Sequence, residues 1–144
     1  MHDIKHKCGV FGIFGIDEAA VLTTLGLHSL QHRGQEGAGI VSFDGEKFHS
    51  VKRAGLVGDN FNNAETLAKL PGRSAIGHVR YSTTGDSSQE NIQPLFANLA
   101  AGGFACAHNG NLTNTISLKK ELVETGSIFQ TTSDTEVILQ LVAR

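Results

Sequence analysis

The sequence predicts a single domain of the α+β class, in which short strands and capped helices share one core. Three features indicate this: an apolar, β-prone run over residues 8–14, a hairpin marked by Asp44-Gly45, and two apolar-spaced helical segments in the last part of the chain. A length of 144 residues allows one domain and is too short for two complete ones. With 40% hydrophobic residues, 18% charged residues and a net charge of −2, the composition excludes a disordered chain and a surface that coats nucleic acid.

No part of the sequence is suited to membrane insertion or export. No apolar run approaches the ~18 residues that a membrane span needs, and residues 1–7 (MHDIKHK) lack the apolar core of a signal peptide. We therefore expect a cytoplasmic protein that has neither a membrane nor a nucleic acid as partner. Because there are only 2 cysteines and no export signal, a disulfide framework is not expected.

The first elements are a strand and a helix. Residues 8–14 form a short apolar run bounded by a glycine, as in a buried strand. Asp17 is suited to cap a following helix, and Gly34 is the expected stop. Residues at helical spacing give this helix its apolar face: Val21, Leu22 and Leu25.

A hairpin and a short helix follow. Residues 38–43 and 46–52 are strand-like runs on either side of Asp44-Gly45, a pair that tolerates the positive φ angles of a type I′ turn. Residues 63–70 are compatible with a short helix that Pro71-Gly72 would end.

The next predicted elements are two strands separated by a polar loop. Residues 75–81 alternate as in a strand, residues 82–90 form the loop, and residues 104–108 form the second strand. One face of the first of these strands carries Ile76, His78 and Arg80.

Two helices complete the prediction. Residues 114–125 carry the Leu118/Leu122 pair, and Gly126 follows at the C′ position. Residues 133–136 (Ser-Asp-Thr-Glu) match a capping box and open the last helix. This helix breaks off at Arg144 without a cap, so we expect the sequence to be the front part of a longer protein.

Cys8 is the first candidate for chemistry. A cysteine that opens an apolar strand is commonly a small buried hydrophobe, but Gly9 beside it would let a substrate approach closely. If residues 1–7 were removed, Cys8 would gain a free α-amine with a pKa of roughly 7.7 to 8.0. Such an amine could take the thiol proton, which a free cysteine must lose before it attacks.

Arg80 is the second candidate, in the segment Gly-His-Val-Arg-Tyr-Ser-Thr-Thr-Gly over residues 77–85. An arginine at a strand edge is often part of a surface ion pair. The alternative is a fork that binds a carboxylate through two parallel hydrogen bonds, as the α-carboxylate of an amino acid requires. The hydroxyl side chain of Thr83 follows it closely.

Asn109-Gly110 is the third candidate. Asn-Gly is a common hairpin turn, but the Asn109 side-chain amide and the Gly110 backbone N–H are also adjacent donors. Because Gly110 has no side chain, the pair could form an oxyanion hole.

Asp134 and Arg33 lie in the remaining polar motifs. An acid in the first turn of a helix is explained by the helix dipole, and Asp134 could also hold a substrate ammonium group. Arg33 lies in the charged segment 32–36, for which surface solvation is the simplest explanation. Cys106 is expected to pack in a strand. The spacing of the N-terminal histidines and Cys8 does not match a zinc site, so no metal ligands are predicted in this chain.

Taken together, five motifs resemble the glutaminase domain of glutamine amidotransferases that use an N-terminal cysteine, within the N-terminal-nucleophile hydrolases. The motifs are Cys-Gly-Val-Phe-Gly, Leu-Gln-His-Arg-Gly-Gln-Glu-Gly-Ala-Gly, Gly-His-Val-Arg-Tyr-Ser-Thr, Ala-His-Asn-Gly-Asn-Leu and Thr-Ser-Asp-Thr-Glu. The resemblance covers the chain from residue 8 to its end. It implies a four-layer αββα sandwich, incomplete in this chain.

Within that group, the chain is most similar to members whose acceptor is phosphoribosylpyrophosphate. Hexosamine-forming members typically have Glu-Tyr-Arg-Gly-Tyr-Asp and His-Thr-Arg-Trp-Ala-Thr at the second and third motifs. Here these read Gln-His-Arg-Gly-Gln-Glu and His-Val-Arg-Tyr-Ser-Thr. The resemblance therefore implies glutamine hydrolysis that supplies ammonia for 5-phosphoribosylamine, the first step of purine synthesis.

The resemblance also assigns roles to individual residues. Cys8 would attack the glutamine side-chain amide, and Asn109 and Gly110 would hold the oxyanion. The substrate-binding residues would be Arg80 for the α-carboxylate, Asp134 for the α-ammonium, Thr83 in the pocket wall and Arg33 in loop positioning.

Two departures from the family pattern shape the domain assignment. Seven residues precede Cys8, so residues 1–7 are expected to be a propeptide and residues 8–144 a glutaminase domain that is truncated at its C-terminal side. The phosphoribosyltransferase domain, with the Mg²⁺ and the 4Fe-4S cluster that the resemblance implies, would lie outside this chain, and the full-length protein is expected to be a homo-oligomer. Two alternatives remain open: an amidotransferase with a hexose-phosphate acceptor, and a non-catalytic glutamine-binding module.

Overall fold

A four-stranded antiparallel sheet is the centre of the structure, a computed structural model in which residues 8–81 and 88–144 are described. Its strands are β1 (Gly9–Phe14), β2 (Gly37–Phe43), β3 (Phe48–Ala54) and β4 (Ser74–Arg80). Their order across the sheet is β1-β4-β2-β3, so β4 pairs with both β1 and β2. All four strands were predicted from their apolar and alternating patterns. The predicted propeptide, residues 1–7, lies outside the described residues.

Helix α1 (Ala19–Ser29) covers one face of this sheet. The predicted apolar face of this helix was wrong, because Leu25 is 60% exposed whereas Thr23 and Leu27 are buried. These two side chains lie against Gly77 of β4, where an added Cβ would come within 2.7 Å of Leu27. A glycine on the central strand therefore lets the helix approach the sheet closely.

The predicted start and end of this helix also differ from the observed ones. Asp17 does not cap it, because its carboxylate pairs with Arg73 at 3.0 Å, and the residue before the helix is Glu18 with a left-handed φ of 58°. The helix ends at Ser29, and a 3-10 turn over Gln31–Arg33 leads to Gly34. Asp17 thus pairs with a residue that is distant in sequence and does not cap the helix.

The predicted β2–β3 hairpin is confirmed, but its turn is longer than the expected two-residue type I′ turn. Phe43 pairs with Phe48, which leaves a loop of four residues, 44–47. The Asp44 carboxylate accepts hydrogen bonds from the backbone N–H groups of Glu46 and Lys47, each at 2.8 Å. A side-chain acceptor therefore organises this turn.

Two short helices follow β3. Helix α2 (Val57–Phe61) was not predicted, and its buried Phe61 joins the core under α1. Helix α3 (Ala64–Ala68) was predicted, and the Asn63 side chain caps it by accepting a hydrogen bond from Thr66 N at 2.8 Å.

A second hairpin and two helices complete the described chain. The hairpin consists of β5 (Leu95–Leu99) and β6 (Gly102–Cys106), and α5 (Thr135–Val142) contacts both of its strands. Helix α4 (Thr115–Glu124) was predicted, and it ends as expected with Gly126 at a φ of 99°. Strand β6 starts and ends two residues before the predicted one.

The capping box predicted for α5 does not form. The Glu136 carboxylate accepts hydrogen bonds from the backbone N–H groups of Gln130 and Thr131, at 2.9 and 2.7 Å, instead of that of Ser133. This carboxylate therefore holds the turn that leads into α5. Within the described ranges, no helix has the length and apolarity to cross a membrane.

Candidate active site

Cys8 directly precedes the edge strand β1 and lies beside the end of its neighbour, β4. Its backbone N–H donates to the carbonyl of Arg33 at 2.9 Å, and its Sγ lies 3.4 Å from N and 3.5 Å from O of Tyr81. Its φ of 58° is in the left-handed region, which is uncommon for a residue with a side chain. The pairing of Gly9 with Val79 brings the start of β1 to the end of β4, and this explains how Cys8 comes to lie beside Tyr81.

Arg33 contacts the same residue from the 3-10 turn after α1. Its Nε donates to the Cys8 carbonyl oxygen at 2.6 Å. The next residue, Gly34, lies against β4, and an added Cβ would come within 2.5 Å of the Arg80 carbonyl carbon. The absence of a side chain at Gly34 therefore allows Arg33 to reach Cys8. Arg33 was predicted as a positioning residue, and this contact is compatible with that role.

Asn109 reaches Cys8 from the other side. Its Nδ2 donates to the Cys8 carbonyl oxygen at 3.3 Å, although 101 residues separate the two in sequence. The amide carries a second N–H, so Asn109 can donate to a further acceptor. An added Cβ on Gly110 would lie 2.9 Å from Nε2 of His108, so the His108 ring would have to shift to accommodate a side chain there. The structure thus brings the side chain of Asn109 to the backbone of Cys8, the predicted nucleophile.

Arg80 contacts Asn91 and Glu36, and neither contact was predicted from the sequence. Its Nη1 donates to the Asn91 carbonyl oxygen at 2.9 Å, and its Nε lies 3.7 Å from Glu36 Oε2. Glu36 was assigned to a solvated surface segment, yet it faces this half-buried guanidinium. The signal in the sequence was its position in the glycine-rich second motif, three residues after Arg33.

Asp134 faces the same turn as Asn109. Its Oδ2 accepts a hydrogen bond from Leu112 N at 2.8 Å, and its Oδ1 lies 3.7 Å from Nδ1 of His108. Asp134 stands at the N-cap position of α5, as the helix-dipole explanation requires, but its side chain makes no capping hydrogen bond to this helix. The structure brings Asp134 to the turn of residues 108–112, whereas Thr83 lies outside the described residues.

His78 is the one buried histidine among the described residues, with 1% of its surface exposed. Burial, together with the positive charge of Arg80, lowers the pKa of His78 from 6.5 to about 4. The ring is therefore neutral at pH 7. The contact of the ring with the His108 backbone acts in the opposite direction, but the effect of burial is larger.

The second cysteine is in a different environment. Cys106 is half-buried in β6, and burial raises the pKa of its thiol although Lys52 acts in the opposite direction. A raised pKa disfavours the nucleophilic thiolate, which agrees with the packing role predicted for Cys106. In residues 8–81 and 88–144 no group of three or more histidine, cysteine, aspartate or glutamate side chains is arranged to hold a metal ion.

Known proteins resemble this chain over almost all of its length. The glutamine amidotransferase domain family matches residues 78–144. An amidophosphoribosyltransferase of Rhizobium etli is 60% identical over 98% of this chain and 28% of its own length. One of Lacticaseibacillus casei is 52% identical, again over 98% of this chain, and here the match covers 73% of the relative. The chain belongs to the amidophosphoribosyltransferase family.

The solved structures agree with this family assignment. The glutamine phosphoribosylpyrophosphate amidotransferase of Bacillus subtilis, solved with ADP and GMP, superposes with a TM-score of 0.86 at 54% identity. The match covers 94% of this chain and 29% of that one. The chain spans less than a third of the length of the amidophosphoribosyltransferases of Rhizobium etli and Bacillus subtilis, at 28% and 30%.

Proposed function

We propose that this chain is the glutaminase part of an amidophosphoribosyltransferase. It hydrolyses glutamine and supplies ammonia to phosphoribosylpyrophosphate, which yields 5-phosphoribosylamine for purine synthesis. The observation that carries this proposal is the meeting of Cys8, Arg33 and Asn109 at the end of β4, since both side chains donate to the Cys8 carbonyl. The family's four-layer αββα sandwich is the proposed architecture, with α1 on one sheet and α5 on the second hairpin.

Activation requires that the bond between Lys7 and Cys8 is cleaved. As long as a residue precedes it, Cys8 adopts a positive φ, which costs about 1–2 kcal/mol. Cleavage removes this dihedral angle and with it the strain. The freed α-amine keeps the Arg33 carbonyl as its acceptor, 2.9 Å away, and this contact fixes its orientation beside Sγ.

The chemistry then follows from the groups around Cys8. The α-amine takes the thiol proton, and Sγ attacks the side-chain carbonyl carbon of glutamine. Negative charge develops on the amide oxygen, where Asn109 Nδ2 and the Gly110 backbone N–H stabilise it. The ammonium returns its proton to the leaving nitrogen, and ammonia departs. Water then hydrolyses the thioester to give glutamate and the free thiol.

Substrate glutamine is held at its two charged ends. Arg80 binds the α-carboxylate through its planar guanidinium, and Asp134 binds the α-ammonium group. Thr83 completes the pocket wall in this proposal.

The acceptor reaction belongs to a part of the protein outside this chain. That part carries the phosphoribosyltransferase activity, the Mg²⁺ and the 4Fe-4S cluster, and the whole protein is a cytoplasmic homo-oligomer. Neither nucleic acid nor membrane is a proposed partner.

The test is to separate the two half-reactions in the natural full-length protein. Cys8→Ala should abolish glutamine-dependent formation of phosphoribosylamine and leave ammonia-dependent formation intact. Equal glutamine hydrolysis by the parent protein and Cys8→Ala would favour a non-catalytic module. Formation of product from a hexose phosphate, in place of phosphoribosylpyrophosphate, would show that the proposed acceptor is wrong. Intact mass of the active protein should correspond to a chain that starts at Cys8.

A further inference from the structure

Residues 91–94 form a buried segment that contacts both Arg80 and the turn that carries Asn109. Asn91 is 2% exposed and Gln93 is 7% exposed, although both carry polar amides. Strand β2 has glycines where this segment packs. An added Cβ at Gly37 would come within 2.8 Å of Ile92, and one at Gly39 would collide with the Gln93 carbonyl oxygen. On the face of β2 that carries Gly37 and Gly39, the buried segment therefore occupies the space that side chains would otherwise fill.

Gln93 contacts the turn that carries the oxyanion donors. Its side-chain Oε1 accepts the hydrogen bond of His108 N at 2.7 Å. His108 directly precedes Asn109, so this bond fixes the backbone from which the Asn109 amide and the Gly110 N–H project. A buried amide that is so engaged is costly to replace by an apolar group, because the N–H of His108 would lose its partner.

Asn91 connects the substrate clamp to the turn before α5. Its side chain accepts a hydrogen bond from Thr132 N at 3.1 Å and donates to Thr132 Oγ1 at 2.9 Å. Thr132 lies two residues before Asp134. The Asn91 carbonyl oxygen accepts from Arg80 Nη1 at 2.9 Å. One residue therefore touches both segments that are proposed to hold the charged ends of glutamine.

We propose that Gln93 and Asn91 are positioning residues with separate tasks: Gln93 sets the oxyanion donors, and the Asn91 side chain sets, through Thr132, the segment whose Asp134 binds the α-ammonium end of the substrate. This inference rests on the proposed glutaminase function and deepens it. Because the oxyanion forms only in the transition state, a substitution of Gln93 that displaces the oxyanion donors lowers kcat. A fault at Asn91 weakens the binding of glutamine itself, which raises KM.

The experiment measures glutamine hydrolysis by the natural full-length protein and its variants. Gln93→Leu should lower kcat by about 100-fold and leave KM within about twofold, since small displacements of catalytic groups have effects of this size. Gln93→Glu keeps an oxygen at the same position and should recover most of kcat. Asn91→Leu removes the side-chain contacts with Thr132 and leaves the backbone carbonyl that accepts from Arg80. It should raise KM by about tenfold and change kcat by less than about threefold, the signature of lost ground-state binding.

A matched control separates positioning from general stability. Asn63→Ala also removes an amide oxygen that accepts a backbone N–H at 2.8 Å, but it acts on α3, away from the site. This variant should lower the midpoint of thermal unfolding without changing kcat or KM. If Gln93→Leu does not fold, Gln93→Asn provides the same test, because its shorter side chain stays polar and no longer reaches His108.

The outcomes distinguish failure of this inference from failure of the proposed function. If Cys8→Ala still hydrolyses glutamine, the proposed function is wrong. If Cys8→Ala is inactive but Gln93→Leu, or Gln93→Asn in its place, has the parent kcat, Gln93 has no positioning role. Parallel changes of kcat and KM in the Gln93 and Asn91 variants would contradict their separate tasks.

Discussion

The stability of this protein should fall as the pH decreases from 6.5 towards 4, because of His78. The buried ring has a pKa of about 4 in the folded protein, whereas the exposed ring of the unfolded chain has one of 6.5. Between these values the unfolded chain binds a proton that the folded chain does not bind, so the free energy of unfolding rises with pH. Each pKa unit corresponds to about 1.36 kcal/mol. The full contribution is therefore about 3 kcal/mol, of which about 2 kcal/mol is lost by pH 5.

Comparison with His78→Phe isolates this contribution. Phenylalanine has a similar shape and does not titrate, although it loses the contact of the imidazole with the His108 backbone. That loss changes the free energy of unfolding by about the same amount at every pH above 5, so the test is the change with pH and not the value at pH 7.5. Between pH 7.5 and pH 5, the parent protein should lose about 2 kcal/mol more than the variant. Equal losses over this range would show that the folded protein does not disfavour the charged imidazole, and the reasoning would be refuted.

Three further changes test the site and the sheet. Asn109→Ala should lower kcat for glutamine hydrolysis by about 100-fold to 1000-fold in steady-state assays, as loss of one oxyanion donor does; an effect below tenfold would exclude that role. Gly34→Ala places a Cβ within 2.5 Å of the β4 backbone and should cost about 1–3 kcal/mol in chemical unfolding, whereas Gly12→Ala, with its nearest neighbour at 3.5 Å, should be tolerated. Hydrogen bonds from the turn backbone and His49 hold the pKa of Asp44 well below its usual range. Asp44→Asn should therefore destabilise the hairpin above pH 4, and this difference should disappear at a pH well below 4, where the parent carboxylate also becomes protonated. A difference in unfolding midpoints that does not depend on pH would contradict this.

The sequence predicts the strands better than the ends of the helices. Strand β4 was recognisable because its alternation separates a face under α1 from the face with His78, and that period of two depends only on local geometry. Helix caps depend on which partner a side chain finds. Asp17 and Glu136 stand where caps are expected, but Arg73 engages the first and the backbone of residues 130–131 engages the second. Tertiary contacts replaced the local ones.

The candidate site was predictable only as a set of ambiguous motifs. Alone, Asn109 and Gly110 match a common hairpin turn, and Arg80 matches a surface ion pair. Antiparallel pairing of β1 with β4 places Cys8 beside the end of β4, and the fold brings Asn109 to its carbonyl. Neither contact follows from spacing, because 101 residues separate Cys8 and Asn109. In the sequence, only the resemblance to a known family indicated that these motifs form one site.

The positioning role of Asn91 and Gln93 had no such signal in the sequence. Two amides beside a proline are typical of an exposed turn, and residues 82–90 before them were predicted as a polar loop. What buries them is the pair of glycines at positions 37 and 39, whose missing side chains leave room on β2. Once buried, each amide must find partners, and the available ones are the backbone N–H groups of His108 and Thr132. The need to satisfy buried polar groups thus ties the packing of the central sheet to the alignment of the reacting groups.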